Sequence, residues 1–350
     1  MTTEVPPWTY APPTSSPPPT SSGYAPARGM VTDHDEAAAV RPLTLAWVGR
    51  HLEVGEQIVR TEVLHGGITA EMRKLTIGTR GGSTRDLVLR SFVDPFYVGH
   101  AEDWLNREAE ALSLLMGTGV PAPVLLAVDP TAAHCEYPSL LMTQVAGRTV
   151  LDDEGLETRI PLLARQLVAI HALRPAERPR KYVALTTADT VVTPKGADAA
   201  AWAAAIAVIR RPAPPYEGRF LHRDFQPGNV LFDVSPLGPA GARITGVVDW
   251  AGTCWGPADL DVAHCSTNLA LLHGPAWGLR FAQAYEEAGG ELAAAASERL
   301  YWQVRDALAC SEEVQVVARP WREAGRAELT TRAVEKRLDV YVTALMEALG

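Results

Sequence analysis

The stretch Leu221-His222-Arg223-Asp224-Phe225-Gln226-Pro227-Gly228-Asn229-Val230-Leu231-Phe232, followed by Gly246-Val247-Val248-Asp249-Trp250, constrains this chain more than any other part of it. It sets an Asp, then an Asn, then a second Asp around two short apolar runs. Phosphoryl transfer from ATP requires such a set: one carboxylate to orient a hydroxyl nucleophile, and two oxygen ligands to hold Mg²⁺ on the phosphates. Asp224 is therefore the candidate catalytic base. Asn229 and Asp249 are candidate Mg²⁺ ligands, both hard oxygen donors of the kind that ion takes. Residues 230–233 and 244–248 read as a β-hairpin around a Pro/Gly-rich turn, 235–241, which would bring Asn229 and Asp249 together. An Asp/Asn spacing recurs by chance. The preceding His-Arg, the internal Pro-Gly turn and the apolar-apolar-Asp strand give it weight.

The remaining composition bounds the partners. A chain of 350 residues can bury a substantial core in one large or two modest domains. Its hydrophobic fraction of 47% and charged fraction of 21% are those of a soluble globular protein. A net charge of −9 speaks against a nucleic-acid polymer as partner and against an anionic membrane surface. Cys254, His264 and Cys265 lie close in sequence, but a fourth ligand at zinc spacing is missing, so Cys135, Cys254, Cys265 and Cys310 read as reduced thiols. There is no charged segment followed by an apolar one at the N-terminus, and the longest apolar run, 199–209, is too short to cross a bilayer. A soluble, cytoplasmic protein is expected.

Residues 1–38 are rich in Pro, Ser and Thr and should form a disordered or polyproline-like tail. The pattern then predicts a short helix over 42–54, strands over 57–64, 70–77 and 86–93, a helix over 101–116, and strands over 123–128 and 139–145. Helices are expected over 157–173, 198–210, 259–272, 278–288, 293–317 and 325–348. The implied class is α+β: a five-stranded antiparallel sheet with one helix in an N-terminal nucleotide-binding lobe, 39–145, then a larger helical lobe, 146–350, carrying catalysis and substrate, with the cleft between them.

The sheet half offers matching parts. Gly66, Gly67 and Thr69 sit in a turn between strands, where backbone N–H groups can cover phosphates. Arg90 ends Leu87-Val88-Leu89-Arg90, and Glu108 lies on the following helix where it can pair with that cation.

The order of Gly-Gly turn, V-L-R strand, R-E-x-E helix, L-L-M strand, H-R-D-F-x-P-G-N-V-L and G-V-V-D-W resembles the aminoglycoside phosphotransferase-like family, small-molecule kinases that share the protein-kinase fold. The likeness spans about residues 40–350. It implies that Asp224 is the base, that Asn229 and Asp249 bind Mg²⁺, that Arg90 with Glu108 orients ATP (or GTP), and that Met142, Thr143, Gln144 and Val145 face the base of the nucleotide. It implies a bracing role for Asp261, and that Trp302 and Asp306 lie on the helix lining the acceptor pocket, Asp306 placed to hold an amine. Three departures stand out: Arg90 where many members carry Lys, Arg223 where members often have Gly, and a longer turn between the metal ligands. Ala307, where antibiotic kinases often have a second acid, argues against a polycationic aminoglycoside.

The expected function is transfer of the γ-phosphoryl group to a hydroxyl of a small metabolite or antibiotic. A protein kinase fits less well, because Asp249-Trp250-Ala251 replaces D-F-G and no A-P-E follows. A nucleotide-binding pseudoenzyme or scaffold should have lost the base or a metal ligand, and neither is lost.

Overall fold

The computed structural model describes residues 41–64, 69–233, 242–312 and 314–349. The expected tail over 1–38, the Gly66-Gly67 turn and the turn over 235–241 lie outside the described residues. The first half forms helix α1 (Pro42–Arg50), strands β1 (Gln57–Leu64), β2 (Glu71–Gly78) and β3 (Thr84–Ser91), helix α2 (Pro95–Leu115), and strands β4 (Leu125–Asp129) and β5 (Ser139–Thr143). The strands make one antiparallel five-stranded sheet in the order β1-β2-β3-β5-β4.

Period-two alternation decides which helix each sheet residue meets. On β3, Leu87 and Leu89 pack with Leu75, Ile77, Trp47 and Val48 beneath α1. Val88 and Phe92 pack on the other face with Trp104, Leu105 and Leu112 of α2. Arg90 shares the parity of Val88, so it points toward α2. On that helix Ala101, Trp104, Leu105, Ala109, Leu112 and Leu115 form the buried stripe, and Glu108 falls inside it.

The second half is mostly helical: α3 (Leu156–His171), α4 (Ala199–Ile209), α5 (Ala258–His273), α6 (Pro275–Glu287), α7 (Ala296–Ala309), α8 (Val314–Glu323) and α9 (Thr331–Leu349). Between α4 and α5 run β6 (Arg219–Leu221), the antiparallel hairpin of β7 (Val230–Asp233) and β8 (Arg243–Val247), and β9 (Cys254–Gly256), which pairs with β6. Helix α5 is buried along almost its whole length, so its polar residues need partners inside the protein.

Several boundaries moved. Helix α2 starts at Pro95, well before the expected position, because the Asp94 side chain caps the Phe96 N–H and proline occupies the first turn. The single helix expected over 293–317 is two, α7 ending at Ala309 with Cys310 as its C-cap, before α8 begins at Val314. The chain leaving the sheet is stitched to the hairpin: Arg148 N–H donates to Phe232 O at 3.0 Å, and Phe232 N–H returns a bond to Arg148 O at 2.9 Å. Gly147, at φ +108°, permits this approach; a Cβ there would stand 2.8 Å from Phe232 O. All four cysteines are unbridged.

Candidate active site

Three short segments converge at the hairpin base: the loop 222–229 after β6, the turn 248–252 after β8, and the first turns of α5. Asp261, fully buried on α5, accepts hydrogen bonds from the main-chain N–H groups of His222 and Arg223, each at 2.8 Å, and from His171 Nε2 at 3.1 Å. Burial alone would raise the Asp261 pKa, but these partners hold it below the usual carboxylate value. The bonds pin Arg223 at φ +72°, a left-handed conformation that favours glycine. Its guanidinium finds a carboxylate in Asp306, 3.6 Å away.

His222 is wholly buried against Trp250, ring centroids 4.4 Å apart. Its Nδ1 accepts from the Asp224 N–H at 3.2 Å, so Nε2 carries the proton donated to Val248 O at 3.0 Å. Burial lowers its pKa, in keeping with that neutral tautomer. This one ring ties the loop bearing Asp224 to the strand end bearing Asp249.

Both oxygens of Asp224 are engaged. Asn229 Nδ2 donates to Oδ2 at 2.8 Å and to the Asp224 carbonyl at 2.9 Å. His264 Nε2 meets Oδ1 at 3.0 Å, and Gln226 Nε2 lies 3.4 Å from the same oxygen. The His264 ring reaches onward with Nδ1 to Asp306 Oδ1 at 3.2 Å. Burial disfavours the charged ring, but Asp306 and Asp224 overcome that and raise its pKa to about 10. Burial would raise Asp306, and the neighbouring His264 holds it below its usual value.

Asp249 has φ +66° and ψ +65°, uncommon for a residue with a Cβ. Trp250 Nε1 to Val247 O and Arg107 Nε to Ala251 O hold the turn from both sides. Arg90 donates through Nη1 to Glu108 Oε2 at 2.6 Å and through Nη2 to Asp249 Oδ1 at 3.0 Å. Burial opposes the Arg90 cation, but Asp249 and Glu108 together keep it more firmly charged than usual. Burial pushes Glu108 upward while Arg90 pulls it back.

The sequence-predicted residues thus fall into groups. Asp224, Asn229, Asp249, Arg90 and Glu108 form one connected set. Asn229 spends its amide N–H groups on Asp224, which turns Oδ1 the opposite way. Val248 N–H donates to Asn229 O at 3.0 Å, so the two candidate ligands lie on adjoining backbone. Arg90 occupies only one Asp249 oxygen, and an amide oxygen with a carboxylate oxygen suits Mg²⁺. Among the described residues no group of three or more His, Cys, Asp and Glu could by itself hold a metal ion.

Met142 is buried in β5, and the chain runs on through Thr143, Gln144 and Val145, the last packed against Gly246. Thr143 N–H donates to Val124 O and Gln144 N–H to Asp86 O, so these two donors serve the protein itself. Thr69 is half-buried just before β2, and Gly66 and Gly67 lie outside the described residues.

Trp302 and Asp306 both lie on α7, with their side chains turned inward. Trp302 is fully buried, edge-on to Tyr182 and Tyr301, and Asp306 is 3% exposed with its carboxylate turned to His264 and Arg223. Asp306 is interior because α7 packs against α5 with this side chain toward His264, and Trp302 packs among Tyr182, Tyr216 and Tyr301. The sequence offers His264 only as a zinc ligand, beside Cys254 and Cys265. Its position one turn beyond Asp261, on the same buried helix, is the available signal.

A sequence profile of the phosphotransferase enzyme family matches residues 61–299. No curated protein matches the chain. Similar solved structures include a candidate aminoglycoside phosphotransferase from Ralstonia eutropha JMP134, at TM-score 0.57 and 17% identity, covering 87% of this chain and 97% of that one. A macrolide 2'-phosphotransferase type I aligns at TM-score 0.54 and 17% identity over 89% of this chain and 99% of its own. A thermostable mutant of aminoglycoside phosphotransferase APH(4)-Ia, in ternary complex with ADP and hygromycin B, aligns at TM-score 0.52 and 16% identity over 82% and 94%. These likenesses establish the fold, an antiparallel sheet followed by a mostly helical part. Among the described residues no helix is long and apolar enough to cross a membrane.

Proposed function

The chain belongs to the phosphotransferase enzyme family, and on that premise we propose that it transfers the γ-phosphoryl group of ATP to a hydroxyl of a small molecule, with Asp224 as the base. The observation that carries this reading is the double engagement of Asp224. A carboxylate gripped at Oδ2 by Asn229 and at Oδ1 by His264 is fixed in orientation, and orientation of the hydroxyl is the main contribution a base makes to a loose phosphoryl-transfer transition state.

In this reading the acceptor oxygen forms a new bond to the γ-phosphorus as the bond from that phosphorus to the bridging oxygen breaks. ADP leaves with the bridging oxygen, and the hydroxyl proton passes to Asp224. Asn229 Oδ1 and the second Asp249 oxygen would hold Mg²⁺, whose chemistry is to neutralise charge on the phosphate oxygens. Arg90, kept charged by Glu108 and Asp249, supplies a positive group facing the nucleotide. The nucleotide would lie where the sheet (39–145) meets the helical portion (146–350), against the backbone of 142–145 and Thr69. The ADP complex of the APH(4)-Ia mutant supports a nucleotide co-substrate.

The acceptor reading is narrower than the sequence suggested. With Asp306 buried and its Oδ1 turned to His264 and Arg223, that carboxylate is not offered to an acceptor amine. The deciding experiment is coupled ADP release from Mg²⁺-ATP against aminoglycosides, macrolides, amino alcohols and sugars, alongside thermal unfolding with Mg²⁺-ATP. Binding should raise the melting temperature, and Asp249→Ala should abolish that rise. A wild-type melting temperature unmoved across a wide Mg²⁺-ATP range would refute the kinase reading.

A further inference from the structure

Helix α5 carries two polar residues one turn apart that address neighbouring parts of one loop. Asp261 holds the main chain at 222–223, and His264 holds the side chain at Asp224. The second contact bears on chemistry, because it ends on the carboxylate read above as the base.

Both ring nitrogens of His264 face oxygens of carboxylates, Nε2 to Asp224 at 3.0 Å and Nδ1 to Asp306 at 3.2 Å. An ionised carboxylate only accepts hydrogen bonds, so both nitrogens must donate, and only the imidazolium has two N–H groups. Asn268 Nδ2 lies 3.3 Å from Nε2 and donates one N–H to the His264 carbonyl at 2.9 Å, so the shorter contact at Nε2 is the one to Asp224 at 3.0 Å. Asp306 is itself anchored, 1% exposed in its side chain and flanked by Arg223, which follows from the loop that Asp261 pins. The order Arg223, Asp306, His264, Asp224 thus alternates in charge and leads from the interior to the site.

We propose that His264 is a positioning residue for phosphoryl transfer: a doubly protonated imidazole that clamps Asp224 Oδ1 while Asn229 holds Oδ2, with Asp306 as its counter-ion. The inference rests on the reading of Asp224 as base. Fixing both oxygens leaves the carboxylate one pose, with its remaining lone pairs toward the acceptor hydroxyl. Freed from His264, the carboxylate swings about its remaining Asn229 contact, and displacement of a reacting group by about 1 Å costs on the order of 10²-fold in rate. Asp306, placed on the acceptor helix by sequence, acts instead behind the base.

The test uses the full chain in two arms. In the first, long-range ¹H–¹⁵N NMR on ¹⁵N-histidine-labelled protein at pH 8 reads the protonation of the His264 ring. Both nitrogens should be protonated, and a singly protonated ring overturns the proposal. In the second, ADP release from Mg²⁺-ATP with water as acceptor is compared among wild type, Asp224→Asn, His264→Ala and His264→Gln. Asp224→Asn and His264→Ala should each lose on the order of 10²-fold in kcat, His264→Ala with KM for ATP within about twofold of wild type. His264→Gln, which retains an N–H donor at the Nε2 position, should recover to within roughly tenfold of wild type. A purely structural His264 would move stability and leave kcat alone. If Asp224→Asn is inactive and His264→Ala turns over normally, the proposal falls and the base reading stands. If Asp224→Asn turns over normally, the base reading falls and carries the proposal with it. The NMR arm stands even if His264→Ala does not fold.

Discussion

Arg90 and Asp249, 159 positions apart in the chain, are joined by a hydrogen bond of 3.0 Å from Nη2 to Oδ1. The same guanidinium holds Glu108 through its other terminal nitrogen at 2.6 Å. One planar cation therefore bonds the sheet, helix α2 and the turn after β8. A lysine at this position has a single ammonium and no rigid fork with which to span two carboxylates. The Arg that departs from the family habit is thus built into the site on both sides.

Arg90→Ala should destabilise the protein by about 3–5 kcal/mol, the cost of leaving a buried carboxylate without its partner. Arg90→Lys should lose roughly half as much, since it keeps one of the two pairs. Urea unfolding monitored by tryptophan fluorescence measures both. An Arg90→Ala variant as stable as wild type would show that the two pairs do not contribute.

Arg223→Gly sets two effects against each other. Glycine removes a left-handed strain of about 1–2 kcal/mol, while loss of the guanidinium beside a buried Asp306 costs about 3–5 kcal/mol. The second wins, so net destabilisation of roughly 1–4 kcal/mol is expected on the same grounds. A stabilised Arg223→Gly in chemical denaturation would mean that the Asp306 contact, at 3.6 Å, carries little.

Stability should decline on the alkaline side. The folded-state pKa of His264 is raised from 6.5 to about 10, so folding favours its protonated form. The resulting stabilisation is complete below the unfolded value and is lost as pH rises from about 6.5 through 10. Melting temperatures of wild type should fall across that window more steeply than those of His264→Gln. Parallel curves for the two proteins would contradict the linkage.

Trp302→Ala should cost about 3–5 kcal/mol in unfolding free energy, as expected for emptying a core site of that size. A stacking platform for the acceptor would behave in the opposite manner, raising KM for the acceptor with little loss of stability. Calorimetry and steady-state kinetics on the same preparation separate the two.

How far the sequence could be read depended on whether a feature was periodic or convergent. Strand β1 runs over Gln57–Leu64 as its residues foretell, and the β7–β8 hairpin forms as its flanking apolar runs require. Asp224, Asn229 and Asp249 were legible because short-range backbone geometry brings them together. The three-residue strands β6 and β9 are shorter than any alternation that could announce them. The division of the expected helix over 293–317 at Cys310 lacks a Gly or Pro stop signal in sequence. Trp302 and Asp306 required knowledge of which faces of α7 turn inward, and no local pattern contains that. The same packing makes a partner of His264. Its two hydrogen-bonded carboxylates come from opposite directions, 40 positions before it and 42 after.

The hairpin that carries the candidate metal ligands is held at two separate places by the first half of the chain. Val247 N–H donates to Pro121 O at 2.8 Å, and Phe232 exchanges two bonds with Arg148. Two fixed points define a line. Any rigid displacement of the chain before α3 against the helices that preserves these bonds is reduced to one degree of freedom, a rotation about that line. Sliding would break a bond at one end or the other. The line runs along the hairpin itself, so residues close to it travel least as the two portions turn. Asn229 and Asp249 sit at the end of that axle, the part of a hinged body that keeps its spacing while everything farther out swings.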